Sequence, residues 1–252
     1  MTFQEKLKNR EVVLGTMLSE LPSANLPRLF QVAGFDYFII DCEHGSFDFS
    51  QVANLIGIAN GYGIPAIVRI PMIEREFITK VLDAGADGLL VPMVNTKEEA
   101  EKVIEISKYS PLGKRGVSTT RAHSNYSPPP LKEYLKLANE RTSIFVQLET
   151  QEAVKNVEDI ASVEGITAIM IGPNDMATDL GVPGETGHPK MFEAIEKVIA
   201  AANKAGLPSG IIESHQDYLK KCRSLGMTVF SCGSELGMLL SAAKQNVKNF
   251  AD

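Results

Sequence analysis

Asp41, Glu43 and His44 stand within four residues of one another, Arg69 closes the apolar triplet Ala66-Ile-Val68, and Glu149 follows Ile144-Phe-Val-Gln-Leu148. Asp175 comes directly after Gly172-Pro-Asn174. These residue types do chemistry when they converge. Two carboxylates such as Glu149 and Asp175 suit a hard divalent ion, Mg²⁺, Mn²⁺ or Co²⁺, whose remaining positions go to water and substrate oxygens. The plainer alternative is that backbone amides or an arginine hold them. His44 is a candidate general base, with Asp41 expected to orient its ring and favour the imidazolium. Arg69 is a candidate for stabilising a developing oxyanion, or else for a rim ion pair with a neighbouring carboxylate. His123, His188 and His215 read as solvated residues of loops or helix starts.

Convergence needs a scaffold, and the apolar pattern supplies one. Short apolar runs alternate with longer stretches of helical periodicity, as parallel βα units do when each strand is buried on both faces. Eight runs are countable, at 12–17, 37–41, 66–69, 88–91, 144–149, 168–171, 208–212 and 228–232. Between the sixth and seventh runs, Phe192, Ile195, Val198, Ile199 and Ala202 recur at helical spacing and stop at Gly206. Ala-Gly elements before the second, fourth and seventh runs, at Gly34, Gly85 and Gly206, read as helix ends feeding the next strand. The pattern predicts one (β/α)8 barrel over residues 1–252, with its site at the C-terminal ends of the strands. Asp41, Arg69 and Glu149 each end a run, and Asp175 follows the sixth. No lysine lies in any of the eight runs, which removes the amine a Schiff-base aldolase requires. The irregular stretch 110–130 is long enough to be a functional loop, or else a solvated excursion.

Composition narrows the partner. With 25 Lys+Arg against 31 Asp+Glu, the net charge is −6, and the basic residues are scattered. That excludes an electrostatic nucleic-acid footprint or membrane-surface patch and leaves a small molecule. A chain 44% hydrophobic and 22% charged has the composition of a folded core. Cys42, Cys222 and Cys232 are odd in number with no C-x-x-C spacing, which fits reduced thiols in the cytoplasm. No signal-peptide core and no membrane-spanning run is present. Cys42 beside His44 is read as structural, since nothing nearby builds an oxyanion hole for a thiol nucleophile. Gly233-Ser-Glu-Leu-Gly237 is read either as backbone amides for an anion or as a helix start.

Phe35-Asp-Tyr-Phe-Ile-Ile-Asp41 with Glu43-His44, then Val68-Arg69, Leu90-Val-Pro-Met93, Arg115-Gly-Val117, Gln147-Leu-Glu149-Thr150 and Ile171-Gly-Pro-Asn-Asp175 resemble, in order, the HpcH/HpaI family of metal-dependent pyruvate aldolases. The resemblance spans nearly the whole chain. It implies a TIM barrel of the phosphoenolpyruvate/pyruvate-binding type. It also implies reversible cleavage of a 4-hydroxy-2-oxo acid, such as 4-hydroxy-2-oxoheptanedioate or a 2-keto-3-deoxy sugar acid, to pyruvate or hydroxypyruvate plus an aldehyde. Glu149 and Asp175 then resemble the metal ligands, and Gln147, Gly172, Asn174 and Asp175 the pyruvate pocket. His44 resembles the base, Arg69 the enolate-stabilising group and Asp41 the partner of His44. The family raises the basicity of this histidine with an aspartate matching Asp83. Asp83 precedes Gly85 at the bottom of its own barrel, so it is expected to act across a subunit interface. A homo-oligomer follows, a hexamer by resemblance, with the segment 236–250 apolar enough on one face to dock on a neighbour. Asn174 for a common alanine, Cys42 for a glycine and Gly233-Ser-Glu235 for glycine-x-aspartate are departures that leave the aldehyde open. Oxaloacetate-type decarboxylation and non-catalytic 2-oxo acid binding are the rival functions.

Overall fold

The computed structural model describes residues 1–251. Its strands are β1 (Val13–Leu18), β2 (Tyr37–Asp41), β3 (Ala66–Arg69), β4 (Gly88–Val91), β5 (Ser143–Leu148), β6 (Ala168–Ile171), β7 (Ser209–Glu213) and β8 (Val229–Ser234). All pair in parallel, in chain order, and β8 closes on β1. Four strands match the predicted runs to the residue, and the other four shift by one or two positions at their ends. Alternation along each strand divides the apolar residues into two layers. Ile39, Ile67, Leu90, Phe145 and Met170 fill the barrel interior, while Phe38, Ile40, Val68, Leu89 and Val146 pack outward under the helices. Tyr37 also points inward. Its ring lies where a Cβ on Gly15 would be, 2.4 Å away, so only glycine fits opposite it.

A helix the sequence did not announce, Phe3–Lys8, closes the lower end of the barrel. Phe3 stacks on Tyr37 at 5.1 Å and on Phe145 at 6.4 Å, and Leu7 is buried beside them. Thr2 and Glu5 cap it reciprocally.

The turns behave as the sequence suggested. Gly34, Gly85 and Gly206 all adopt positive φ, at 96°, 101° and 75°. The aspartates that follow two of these glycines also tie one βα unit to the one before it. Asp36 accepts from the Leu14 N–H at 2.8 Å, and Asp87 from the Ala66 N–H at 3.1 Å. The helix Pro189–Lys204 buries Ile195, Val198, Ile199 and Ala202 as their spacing required, while Phe192 is only half-buried.

The stretch 110–130 folds beneath the barrel, on the face opposite the strand C-termini, where it packs on Asp83 and Gly85. His123 lies within it and is buried. Its Nδ1 meets the Tyr134 hydroxyl, and its Nε2 lies 3.0 Å from the Ser118 carbonyl and 3.7 Å from Asp83. The solvated role expected for His123 is therefore corrected. His188 and His215 do precede helices, at their N-caps.

The last helix, Glu235–Ala251, departs from the barrel pattern. Only Glu235 of its residues is buried, and Leu239, Leu240, Val247 and Phe250 are exposed, the last at 95%. The outer wall of β1 that an eighth helix would cover leaves Leu14 38% exposed.

Candidate active site

β2 and β3 run in register so that Asp41 lies opposite Arg69 at their upper ends. The two side chains are buried and paired twice, Nε to Oδ1 at 2.9 Å and Nη2 to Oδ2 at 2.6 Å. Burial alone would push the Asp41 carboxyl up. The Arg69 hydrogen bonds and charge outweigh it, and Asp41 is held below its ordinary value. Asp41 Oδ1 also accepts the backbone N–H groups of Glu43 and His44, which turns the chain sharply after β2.

This corrects one expectation. Asp41 does not orient the His44 ring, because both its oxygens are taken by Arg69 and the turn. The His44 side chain is 68% exposed at the rim, and its nearest acidic neighbour is Glu43, with Nε2 3.8 Å from Oε2. Glu43, quoted only as part of a motif, is the participant that sequence reasoning missed. Its Oε2 lies 3.1 Å from Arg69 Nη1, an ion-pair approach without hydrogen-bond alignment. Burial raises its carboxyl despite that arginine.

Glu149, one residue past β5, is buried. Gln147 Nε2 donates to its Oε1 at 2.7 Å and the Met93 N–H to its Oε2 at 2.8 Å. Met93 presents that N–H from a left-handed backbone, φ 54°, which a side chain of its size rarely adopts. Burial lifts the Glu149 carboxyl to about 7, and the charges of Glu43 and Asp175 add to the rise, against the Met93 N–H and Arg69. Gly172 follows β6 and faces Glu149 closely, since a Cβ there would sit 2.2 Å from Glu149 Oε1 and 2.6 Å from Gln147 Nε2. Asn174 and Asp175 are exposed in the first turn of the helix Pro173–Asp179.

The donor set fits a hard cation. Glu43 and Asp175 lie near enough for their charges to raise the Glu149 carboxyl, and Arg69, the cation that opposes them, is already committed to Asp41. Gln147 Oε1 is buried without a hydrogen-bond partner. Among the described residues, no three His, Cys, Asp or Glu side chains form a closed ligand cage. Glu149 and Asp175 thus suit an open oxygen site and do not suit structural zinc.

Cys42 and Glu235 bear on the two weaker readings. Burial pushes the Cys42 thiol up to about 12, against the thiolate a nucleophile needs. The segment after β8 carries a negative charge of its own into the loop that follows β1. Glu235 is that anion, accepting the N–H groups of Ser19, Glu20 and Leu21 at 2.9, 2.7 and 3.3 Å. Asp83 stands apart from the rim. It pairs at 2.7 Å with Arg115 of its own chain, beneath the barrel.

The HpcH/HpaI aldolase/citrate lyase family profile matches residues 17–242. The chain belongs to this family. Membership makes it a carbon–carbon lyase. It is 33% identical over 248 residues to a 5-keto-4-deoxy-D-glucarate aldolase of Shigella dysenteriae, covering 98% of this chain and 96% of the relative. A Klebsiella pneumoniae aldolase of the same name is 35% identical over 214 residues, covering 85% and 83%. The crystal structure of an HpcH/HpaI aldolase from Desulfitobacterium hafniense superimposes with a TM-score of 0.95 at 31% identity, over 100% of this chain and 97% of that one. No described helix is long and apolar enough to cross a membrane.

Proposed function

We propose that the chain is a divalent-metal-dependent aldolase that reversibly cleaves a 4-hydroxy-2-oxo acid to pyruvate, or an analogue such as hydroxypyruvate, and an aldehyde. The observation that carries this reading is the buried Glu149 carboxyl, faced by Glu43 and Asp175 beside an arginine already paired to Asp41. Relatives named for a deoxy-keto sugar acid support a substrate of that kind.

Glu149 and Asp175 would hold Mg²⁺, Mn²⁺ or Co²⁺, and such an ion, when bound, polarises the carboxylate and 2-oxo oxygens of the substrate. Gln147, Gly172 and Asn174 enclose the pyruvyl end. Arg69, fixed by Asp41, stabilises negative charge developing on the 2-oxo oxygen. His44 takes the C4 hydroxyl proton, directly or through water, and the C3–C4 bond breaks to release the aldehyde. The bonding pair stays with C3, whose protonation gives the pyruvate methyl group.

The test is exchange of the pyruvate methyl protons in D₂O together with cleavage of a panel of 4-hydroxy-2-oxo acids. Both activities should fall on chelation and return with Mn²⁺ or Mg²⁺. Turnover that survives chelation overturns the metal assignment.

The uncovered Leu14 wall and the apolar, unpartnered last helix support a homo-oligomer in which that helix docks on a neighbouring copy. In such an assembly, a hexamer by resemblance, Asp83 beneath one barrel serves His44 of another. Light scattering of the purified protein, with activity followed on dilution, tests this, and a fully active monomer rules it out. Three free cysteines support a reducing compartment such as the cytoplasm.

A further inference from the structure

Between the upper ends of β7 and β8 and the last helix lies a cavity of about 870 Å³. Its lining includes Asn174, one residue before Asp175, but not Glu149, Gln147 or Arg69. It is therefore the room beside the pyruvyl end and not that end itself. Its polar wall consists of amides and hydroxyls, from Asn174, Ser214, Gln216, Ser234, Ser241 and Gln245. Glu213 adds a carboxylate, and among the described residues no Lys, Arg or His lines the space. One Glu213 oxygen is turned back on the N–H groups of Ser214 and His215, at 2.6 and 3.1 Å, so its charge stays at this wall.

We propose that this cavity is the acceptor subsite and that it selects a neutral, hydroxyl-bearing aldehyde over one ending in a carboxylate. The inference rests on the aldolase reading and adds the class of aldehyde. A substrate carboxylate entering here meets no cation among the described lining residues and faces the Glu213 carboxylate, and like charges at one wall repel. A hydroxyl group both donates and accepts, and the amide and hydroxyl side chains answer it in either sense.

Glyceraldehyde and tartronate semialdehyde are three-carbon hydroxyaldehydes that differ only in a CH₂OH group against a carboxylate. Each is offered with pyruvate in the addition direction, and pyruvate methyl exchange in D₂O is measured in parallel. The expected result is a kcat/KM for glyceraldehyde higher by about tenfold or more. Gln216→Arg, at an exposed helix start, puts a cation into the cavity and should narrow that ratio. Gln245→Arg does the same from the opposite wall if the first variant folds poorly. Equal or reversed preference in the native enzyme, with exchange intact, overturns the proposal. A ratio that neither arginine moves takes the cavity off the path of the aldehyde and also overturns it. Absent exchange in the native enzyme is a different failure, that of the aldolase reading itself.

Discussion

Arg69 grips Asp41 edge to edge, with two nearly parallel hydrogen bonds between strand neighbours that are both buried. Removing one partner of such a pair leaves the other charge unanswered, at a cost of about 3–5 kcal/mol. Asp41→Ala should lower the unfolding free energy read from urea titration by that amount and reduce turnover together with it. Arg69→Lys keeps the charge but loses the fork, so kcat should fall while the fold stands. An Arg69→Lys variant with native kcat would separate this pair from catalysis.

His44 is exposed and approaches Glu43 only at 3.8 Å, so its loss should cost the fold under about 0.5 kcal/mol. If it moves the C4 hydroxyl proton, His44→Ala should lose about 10²–10⁴ in kcat and retain Mn²⁺ affinity, as calorimetry can show. Native turnover in this variant would remove His44 from the mechanism.

Glu149→Gln removes a charged ligand, so Mn²⁺ should bind more weakly and raise the melting temperature less. For the native protein, saturation at about 100 times Kd is worth about 2.7 kcal/mol of stabilisation. An unchanged metal-dependent shift in the variant would place the ion elsewhere.

Gly172→Ala tests the same place by sterics alone, because the added Cβ lies 2.2 Å from Glu149 Oε1. The carboxylate must move, and metal affinity should drop with the charge set intact. Crystals of the variant with Glu149 in its native position would contradict the close approach.

Lys108 offers a prediction remote from the site. It is buried, donates to the Asn139 and Thr142 carbonyls, and burial lowers its ammonium from 10.5 to about 8. Between about pH 8 and pH 10.5 the unfolded chain therefore binds more protons at this residue than the folded one. Stability from this group must rise with pH across that window, by ~3 kcal/mol at most. Lys108→Met should melt with a flatter pH dependence than the native protein over that range. Parallel curves would mean that Lys108 titrates normally.

The barrel was legible because parallel strands buried on both faces leave uninterrupted apolar runs, and polar residues at their ends then mark the rim. The side-chain partners were less legible. Asp41 lies three residues from His44 in sequence, and that proximity suggested a pair. Strand register instead sets Asp41 against Arg69, 28 residues away, and the tight turn brings only the backbone of His44 to Asp41. Register across β2 and β3 was in principle readable, since both residues close their strands. His123 and Glu235 left no comparable signal: His123 is buried against Tyr134, Asp83 and its own loop, Glu235 against the backbone N–H groups of a distant loop, and in sequence each looks like any other polar loop residue. The helix Phe3–Lys8 is too short for its periodicity to stand out.

That short helix has a kinetic consequence. Phe3 and Leu7 seal the lower end under Tyr37 and Phe145, and Ile39, Ile67, Leu90 and Met170 fill the interior above them, so whatever binds at the rim must leave by the rim. On the proposed reading, the pyruvyl half, held deepest against Gln147 and Gly172, departs only after the aldehyde has cleared the rim. Product release is then sequential, and the interval between the two departures is when the three-carbon nucleophile can take a proton or a different aldehyde.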